Sequence, residues 1–250
     1  MKMERITSRK NPIIVHLKKL GADASFRRET GEYVCDGEKL FREALLWGAD
    51  IRCVLLSQDA DMLQVPEGVK AYICPRELME YASYFKSPPG VLFSCALPEY
   101  TGKPKAPVIV LENIQDPGNV GTVLRTADAF GVSLVLSGAC ADPFSPKAVR
   151  ASMGAVFRTE IFRAETENLK EKLGDAPLYG AALGEGCEDI RSVELKNAAV
   201  AIGSEGRGLS EDILKICKGR VMIPMTERCE SLNAALTAAV VMWEMKRREI

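Results

Sequence analysis

Short apolar runs alternate with helical patterns along most of this chain, and that alternation narrows its fold more than any other feature. VIVLENI (108–114), SLVLSG (133–138), PLYGAAL (177–183), AAVAIG (198–203) and RVMIP (220–224) read as strands. Between and after them come helical segments: 119–130 stopped by Gly131, SPKAVRASMGAV with Ser145 as cap and Pro146 first, TENLKEKL, SEDILKIC, and a long final helix opening at Ser231. Strand–helix alternation with nearly continuous apolar strands predicts an α/β fold whose mostly parallel sheet is covered on both faces. The first part alternates too. YVCD, IRCVLLS, VKAYICP and VLFSCA read as strands, EKLFREALLWG as a helix closed by Gly48, and Pro75 opens another helix through Tyr81.

PEYTGKPKAP (98–107) interrupts the pattern with three prolines and no hydrophobic period. It reads as a linker with a boundary near residue 103. The expected domains are therefore 1–97 and 108–250. A chain of 250 residues is long enough for both cores.

Composition excludes several chemistries. His16 is the single histidine, so neither a histidine-based triad elsewhere nor a histidine-rich zinc site is available. The eight cysteines include no C-x-x-C pair, which argues against a zinc finger and for free, mostly buried thiols in a reducing, cytoplasmic setting. No signal peptide is read at the start, and the longest uncharged apolar stretch, Leu232 to Trp243, is too short to span a membrane. No metal site is expected. The formal charge is −1, yet residues 1–28 hold eight basic residues against Glu4 and Asp23, a local net of +6. That stretch reads either as a solvated helical face or as a phosphate-contacting surface, with Arg9, Lys10, Lys18 and Lys19 as candidate phosphate contacts.

Three turns sit after strands, where open α/β sheets place their ligands. In LENIQDPGNVGTVLRTADAFG (111–131) the turn Asp116-Pro117-Gly118 precedes a helix carrying Asn119 and Arg125. Six residues apart, those two lie about 120° from one another around the axis. Arg125 offers a forked donor suited to phosphate, or to a surface carboxylate. AIGSEGRGLS (201–210) has its glycines in the order G-x-x-G-x-G, which is neither a dinucleotide fingerprint nor a P-loop. Its glycines allow backbone to approach a flat ligand, and Glu205 would be an exposed acceptor. IPMTERCESLNAALTAAV (223–240) leads into the last helix with Ser231 and Asn233 in its first turn.

Together, N-x-G-x-x-x-R-T-A-x-A-F-G, then G-S-E-G-x-G-L, then I-P-M-x-x-x-x-x-S-L-N resemble the three motifs of the SpoU (TrmH) family of RNA 2′-O-ribose methyltransferases. The segment SPKAVRASMGA (145–155) also resembles a region that the family carries between its first two motifs. The resemblance implies a C-terminal α/β-knot domain of the SPOUT type, with a deep trefoil knot. T-S-R-K-N-P and G-E-Y-V-C-D-G-E-K-L, less specifically, resemble the L30e-like RNA-binding domain that precedes the catalytic domain in many members. It further implies S-adenosylmethionine as cofactor, with backbone around Gly203, Ile223 and Leu232 holding adenine and ribose. It assigns Asn119, Arg125, Glu205, Ser231 and Asn233 to the active site and predicts a homodimer through the final helix.

The implied substrate is RNA, rRNA more than tRNA; a tRNA methyltransferase and a non-catalytic RNA-binding protein of the same fold are the alternatives. Direct methyl transfer needs alignment more than a histidine or a metal. Arg125 as a base conflicts with a pKa above about 12, which leaves the proton's path open, a substrate phosphate being one acceptor. Cys229, inside the third motif, has no role in the family. Glu227 stands where many members have glycine, which puts the local loop shape in question.

Overall fold

The computed structural model describes residues 3–60, 63–226, 228 and 231–248. The chain divides into two compact units. One runs to Glu99 and takes in Phe144–Phe157; the other comprises Tyr100–Pro143 and the chain from Arg158 onward.

The first unit is built on a five-stranded sheet. Its strands are β1 (Glu4–Arg5), β2 (Glu32–Asp36), β3 (Ile51–Ser57), β4 (Lys70–Cys74) and β5 (Val91–Ala96), in the order β1-β4-β3-β5-β2. β1, β4 and β3 run parallel, but β5 is antiparallel to both β3 and β2, so this sheet is mixed. Helix α1 (Pro12–Ala22) starts where Asn11 accepts a bond from the Ile13 amide and Pro12 takes the first turn. It buries Ile14, Leu17 and Leu20 in a core with Val34, Leu55 and Met79. Helices α2 (Ala24–Thr30), α3 (Glu38–Leu46) and α4 (Arg76–Ala82) follow, with Pro75 as the cap of α4, not its first residue.

Two features of this unit depart from the sequence expectation. Arg27, counted in the basic stretch, is 4% exposed and donates to the Leu20 carbonyl at 2.5 Å, so it serves the fold. The stretch 144–157, assigned by sequence to the 108–250 domain, packs with the first unit instead. Phe144 lies 4.9 Å from the Tyr33 ring. Helix α6 (Pro146–Ser152) carries Arg150, whose Nη2 sits 2.7 and 2.8 Å from the two oxygens of buried Asp36 and whose guanidinium covers Phe85 at 3.2 Å. Burial raises the Asp36 carboxyl above its ordinary pKa, and Arg150 partly offsets this.

The second unit carries a seven-stranded, wholly parallel sheet. Its strands are β6 (Val108–Glu112), β7 (Ser133–Ser137), β8 (Ile161–Arg163), β9 (Leu178–Ala181), β10 (Cys187–Asp189), β11 (Ala199–Ile202) and β12 (Gly219–Met222), in the order β10-β12-β9-β11-β6-β7-β8. β6 lies between β11 and β7 with all five residues buried, as an apolar strand of a parallel sheet must. Helix α5 (Pro117–Phe130) is bounded by local chemistry: Asp116 accepts from the Gly118 amide at 2.6 Å, Pro117 opens the first turn, and Gly131 ends it at φ 62°. The remaining helices are α7 (Thr166–Leu173), α8 (Glu211–Ile216) and α9 (Ala234–Lys246).

α9 starts three residues later than the sequence suggested. Asn233 is its N-cap, accepting from the Ala235 and Leu236 amides, and Ser231 lies ahead of the helix. Ala234, Ala235 and Ala238 are buried, and their small size allows α9 to pack closely against α5. Leu236, Val240 and Trp243 remain exposed. Cys35, Cys53, Cys74 and Cys95 are buried, and burial pushes the Cys74 and Cys217 thiols up to about 11, away from nucleophilic use. Among the described residues, no helix is long and apolar enough to cross a membrane and no group of three potential ligands could hold a metal. Glu227 and Cys229 lie outside the described residues.

Candidate active site

The three turns identified in the sequence converge at the carboxyl ends of β6, β11 and β12. After β6 the chain turns through Asn113, held at φ 56° while its Oδ1 accepts from the Ala139 amide at 2.8 Å. Asparagine tolerates this left-handed backbone, and its short side chain ties the end of β6 to the turn after β7. Asn119 then stands in the first turn of α5.

After β11 the glycine loop folds back on itself. The Gly208 amide donates to the Ser204 carbonyl at 2.8 Å. A Cβ on Gly203 would come within 2.1 Å of the Gly208 carbonyl group, so only glycine fits there. The loop carries Glu205 outward.

Glu205 gathers the site. Its Oε1 accepts from Asn119 Nδ2 at 3.0 Å, from Asn233 Nδ2 at 2.5 Å and from the Ala234 amide at 3.2 Å. Asn233 Nδ2 also donates to Asn119 Oδ1 at 3.2 Å. Residues from all three motifs thus meet on one carboxylate oxygen. The first-turn amides of α9 are consumed in the process, by Glu205 and by the Asn233 cap. They do not point free to solvent. Among the described residues Glu205 Oε2 makes no hydrogen bond, so it is the acceptor left for a ligand.

Two clefts flank the glycine loop and share Ser204, Glu205 and Ala234. The first, about 400 Å³, includes Ile202, Gly203, Ile223, Met225, Ser231 and Leu232 in its lining. That volume falls within the ~300–1,000 Å³ of small-molecule sites. All three residues expected to hold the cofactor line it. Its apolar side chains and bare backbone suit a flat heterocycle, and the Glu205 carboxylate suits a cationic group, so the lining fits S-adenosylmethionine. The second cleft, about 620 Å³, is more polar and has Asn113, Gln115, Asp116 and Asn119 in its lining.

Arg125 is not drawn into this cluster. It is exposed on α5, lines neither cleft, and makes no hydrogen bond or ion pair among the described residues. Its helical neighbour Asp128 is engaged by Arg158 Nε at 2.8 Å. Sequence reasoning also missed Glu112. This 3% exposed carboxylate closes β6 and accepts from both the amide and the hydroxyl of Ser210, at 2.8 and 2.6 Å. A charge ending an otherwise apolar run, VIVLE, was the available signal.

In the first unit, Arg9, Lys10, Lys18 and Lys19 are all exposed. Lys18 and Arg9 lie over Tyr81, at 3.3 and 4.7 Å from its centroid, and Lys19 lies 4.9 Å from that of Phe26. His16 is tied to Glu32 at 3.0 Å and stands edge-on to Phe26.

Residues 106–243 match the model of the SpoU rRNA Methylase family. The 23S rRNA (guanosine(2553)-2′-O)-methyltransferase RlmP of Bacillus subtilis is 27% identical over 98% of this chain and 100% of its own length. A tRNA/rRNA methyltransferase of Synechocystis, itself uncharacterised, is 30% identical over 98% of this chain and 94% of its own. Among solved structures, an AdoMet-bound rRNA methyltransferase from Sinorhizobium meliloti superposes with a TM-score of 0.87 at 26% identity, covering 99% of each chain.

Proposed function

The chain belongs to the SpoU rRNA methylase family, and from that premise we propose that it uses the Asn119–Glu205–Asn233 cluster to methylate a ribose 2′-hydroxyl of RNA with S-adenosylmethionine. The observation that carries this reading is the convergence of three motifs on Glu205 Oε1 at the border of two clefts. The apolar cleft at Gly203, Ile223 and Leu232 takes the cofactor, and the polar cleft takes the target nucleotide.

Bound there, S-adenosylmethionine supplies a methyl group on a sulfonium sulfur, which an oxygen can displace directly. The chain's part is alignment, the contribution that such a displacement needs most. Asn119 and Asn233 fix the Glu205 carboxylate, and Oε2 is left as an acceptor for a bound ligand. Ser231 borders the cofactor cleft and helps close it. Arg125 is a permanent cation and not a base. With no partner to hold it among the described residues, it is free to take a phosphate of the target strand, which then receives the hydroxyl proton.

The first unit, which we read as L30e-like, contributes Arg9, Lys10, Lys18 and Lys19 to the RNA backbone, and rRNA is the substrate this arrangement favours. The exposed Leu236, Val240 and Trp243 lie along one side of α9 at helical spacing, and a second copy of the chain covers them in a homodimer; sedimentation at micromolar concentration measures it. A cytoplasmic setting follows from the same reading. Calorimetric titration with S-adenosylmethionine tests the cofactor half of this function, and absence of binding would remove it.

A further inference from the structure

Glu112 is a buried carboxylate whose hydrogen bonds all go to neutral groups. It is 3% exposed, at the end of a strand whose other four residues are apolar and buried. Its Oε2 accepts from the Ser210 amide at 2.8 Å and its Oε1 from the Ser210 hydroxyl at 2.6 Å. No ion pair to Glu112 is found among the described residues. Burying a charge without an ion-pair partner is costly, and a neutral side chain of similar size would suit the core better.

What the charge holds explains its place. Ser210 is the hinge between the glycine loop and α8. Its Oγ also accepts from the Ile213 amide at 3.2 Å and so caps that helix. The other end of the loop is fixed by β11, paired in register with β6 from Ala199–Val108 to Ile202–Leu111. Glu112 follows directly on Leu111. A single strand end therefore fixes both ends of the loop, the first by ladder bonds and the second by this carboxylate. Between them, residues 203–209 line the cofactor cleft and aim Glu205 at Asn119 and Asn233.

We propose that Glu112 is a positioning residue that sets the glycine loop in its cofactor-binding shape through Ser210. This rests on the reading that the apolar cleft takes S-adenosylmethionine. Glu112 itself lines neither cleft; it acts through Ser210, which lies at the edge of the polar one, and through the loop.

The experiment compares wild type with Glu112→Gln, and with Glu112→Asp, which keeps the charge but draws it back by one methylene. Three quantities are read on the ligand-free, full-length protein and on its titration: the melting temperature, amide hydrogen exchange, and the calorimetric Kd for S-adenosylmethionine. Glu112→Gln keeps one acceptor and loses the other, so binding should weaken about tenfold, as for loss of one charge-assisted bond. Faster exchange should be confined to 203–210, and the melting temperature should hold or rise because a buried charge is gone. A Kd within twofold of wild type in either folded variant overturns the proposal. So does weakened binding with protection lost throughout the chain, since Glu112 would then serve the fold at large. If wild type itself does not bind, the cofactor reading fails before this one is reached.

Discussion

Asn119 Nδ2 donates to Glu205 Oε1 at 3.0 Å, joining residues 86 positions apart in the chain. Asn233 reaches the same oxygen, yet the two amides differ in what else they do. Asn119 leaves the capping of α5 to Asp116, whereas Asn233 caps α9 itself. Asn119→Ala should therefore reduce methyl transfer at least ~tenfold, as expected for a lost bond to a charged group, with little change in melting temperature. Asn233→Ala should show a similar loss of activity and also cost about 1 kcal/mol for the missing cap. Thermal melts beside initial rates separate the two effects.

Gly203 and Gly206 share one loop but differ in tolerance. A Cβ at Gly203 meets the Gly208 carbonyl group at 2.1 Å, while one at Gly206 meets nothing within 4 Å. Gly203→Ala should abolish cofactor binding by prying the loop open, and Gly206→Ala should bind within a few-fold of wild type. Calorimetry on both variants checks the contrast.

Asp36 ties stability to pH through Arg150. Burial raises its folded-state pKa above 3.8, so the native protein holds this proton to higher pH than the unfolded chain does. Its contribution to stability therefore falls as pH rises through the interval between 3.8 and the raised value, and stays low above it. Arg150→Ala removes the group that offsets this. The variant should lose about 1–2 kcal/mol near neutral pH, a range kept low because Arg150 is itself partly exposed. Below the unfolded-state pKa, where Asp36 is protonated in both states, the gap between variant and wild type should close. Denaturant unfolding at the two pH values measures it.

Lys10, Lys18 and Lys19 test the surface assigned to RNA. Reversing all three to Glu should weaken RNA binding and flatten its dependence on salt, by roughly 0.7–0.9 in log–log slope for each phosphate no longer neutralised. Cofactor affinity should not change. If RNA affinity is unmoved, these residues form only a solvated face.

The sequence made the second unit legible where local chemistry and burial agree. VIVLE is apolar because β6 is covered on both faces, and Asp116-Pro117 and Gly131 mark the ends of α5. The polar residues of the three motifs stood out in the same way: of the five assigned to catalysis, Asn119, Glu205 and Ser231 line the two clefts, and Asn233 donates to Glu205. Other features depend on long-range packing that no local pattern encodes. Arg27 reads as a surface cation, yet it is buried on a carbonyl seven residues away in sequence. β10 is three residues long and has its place only through pairing with β12. Helix α6 is legible as a helix, but its packing with residues before Glu99 depends on Arg150 finding Asp36, 114 positions away. Ser231 reads as a helix start because serine often caps; Asn233, whose side chain accepts two amides, takes that place.

The most direct test of the proposed activity is the chemical identity of the product. Purified protein, labelled S-adenosylmethionine and total RNA are incubated, and the RNA is digested to nucleosides and analysed by mass spectrometry, beside Arg125→Ala and Asn119→Ala. The predicted result is label in a 2′-O-methylated nucleoside from wild type, concentrated in rRNA, and a strong reduction in both variants. Label on a base, or variants as active as wild type, would contradict it.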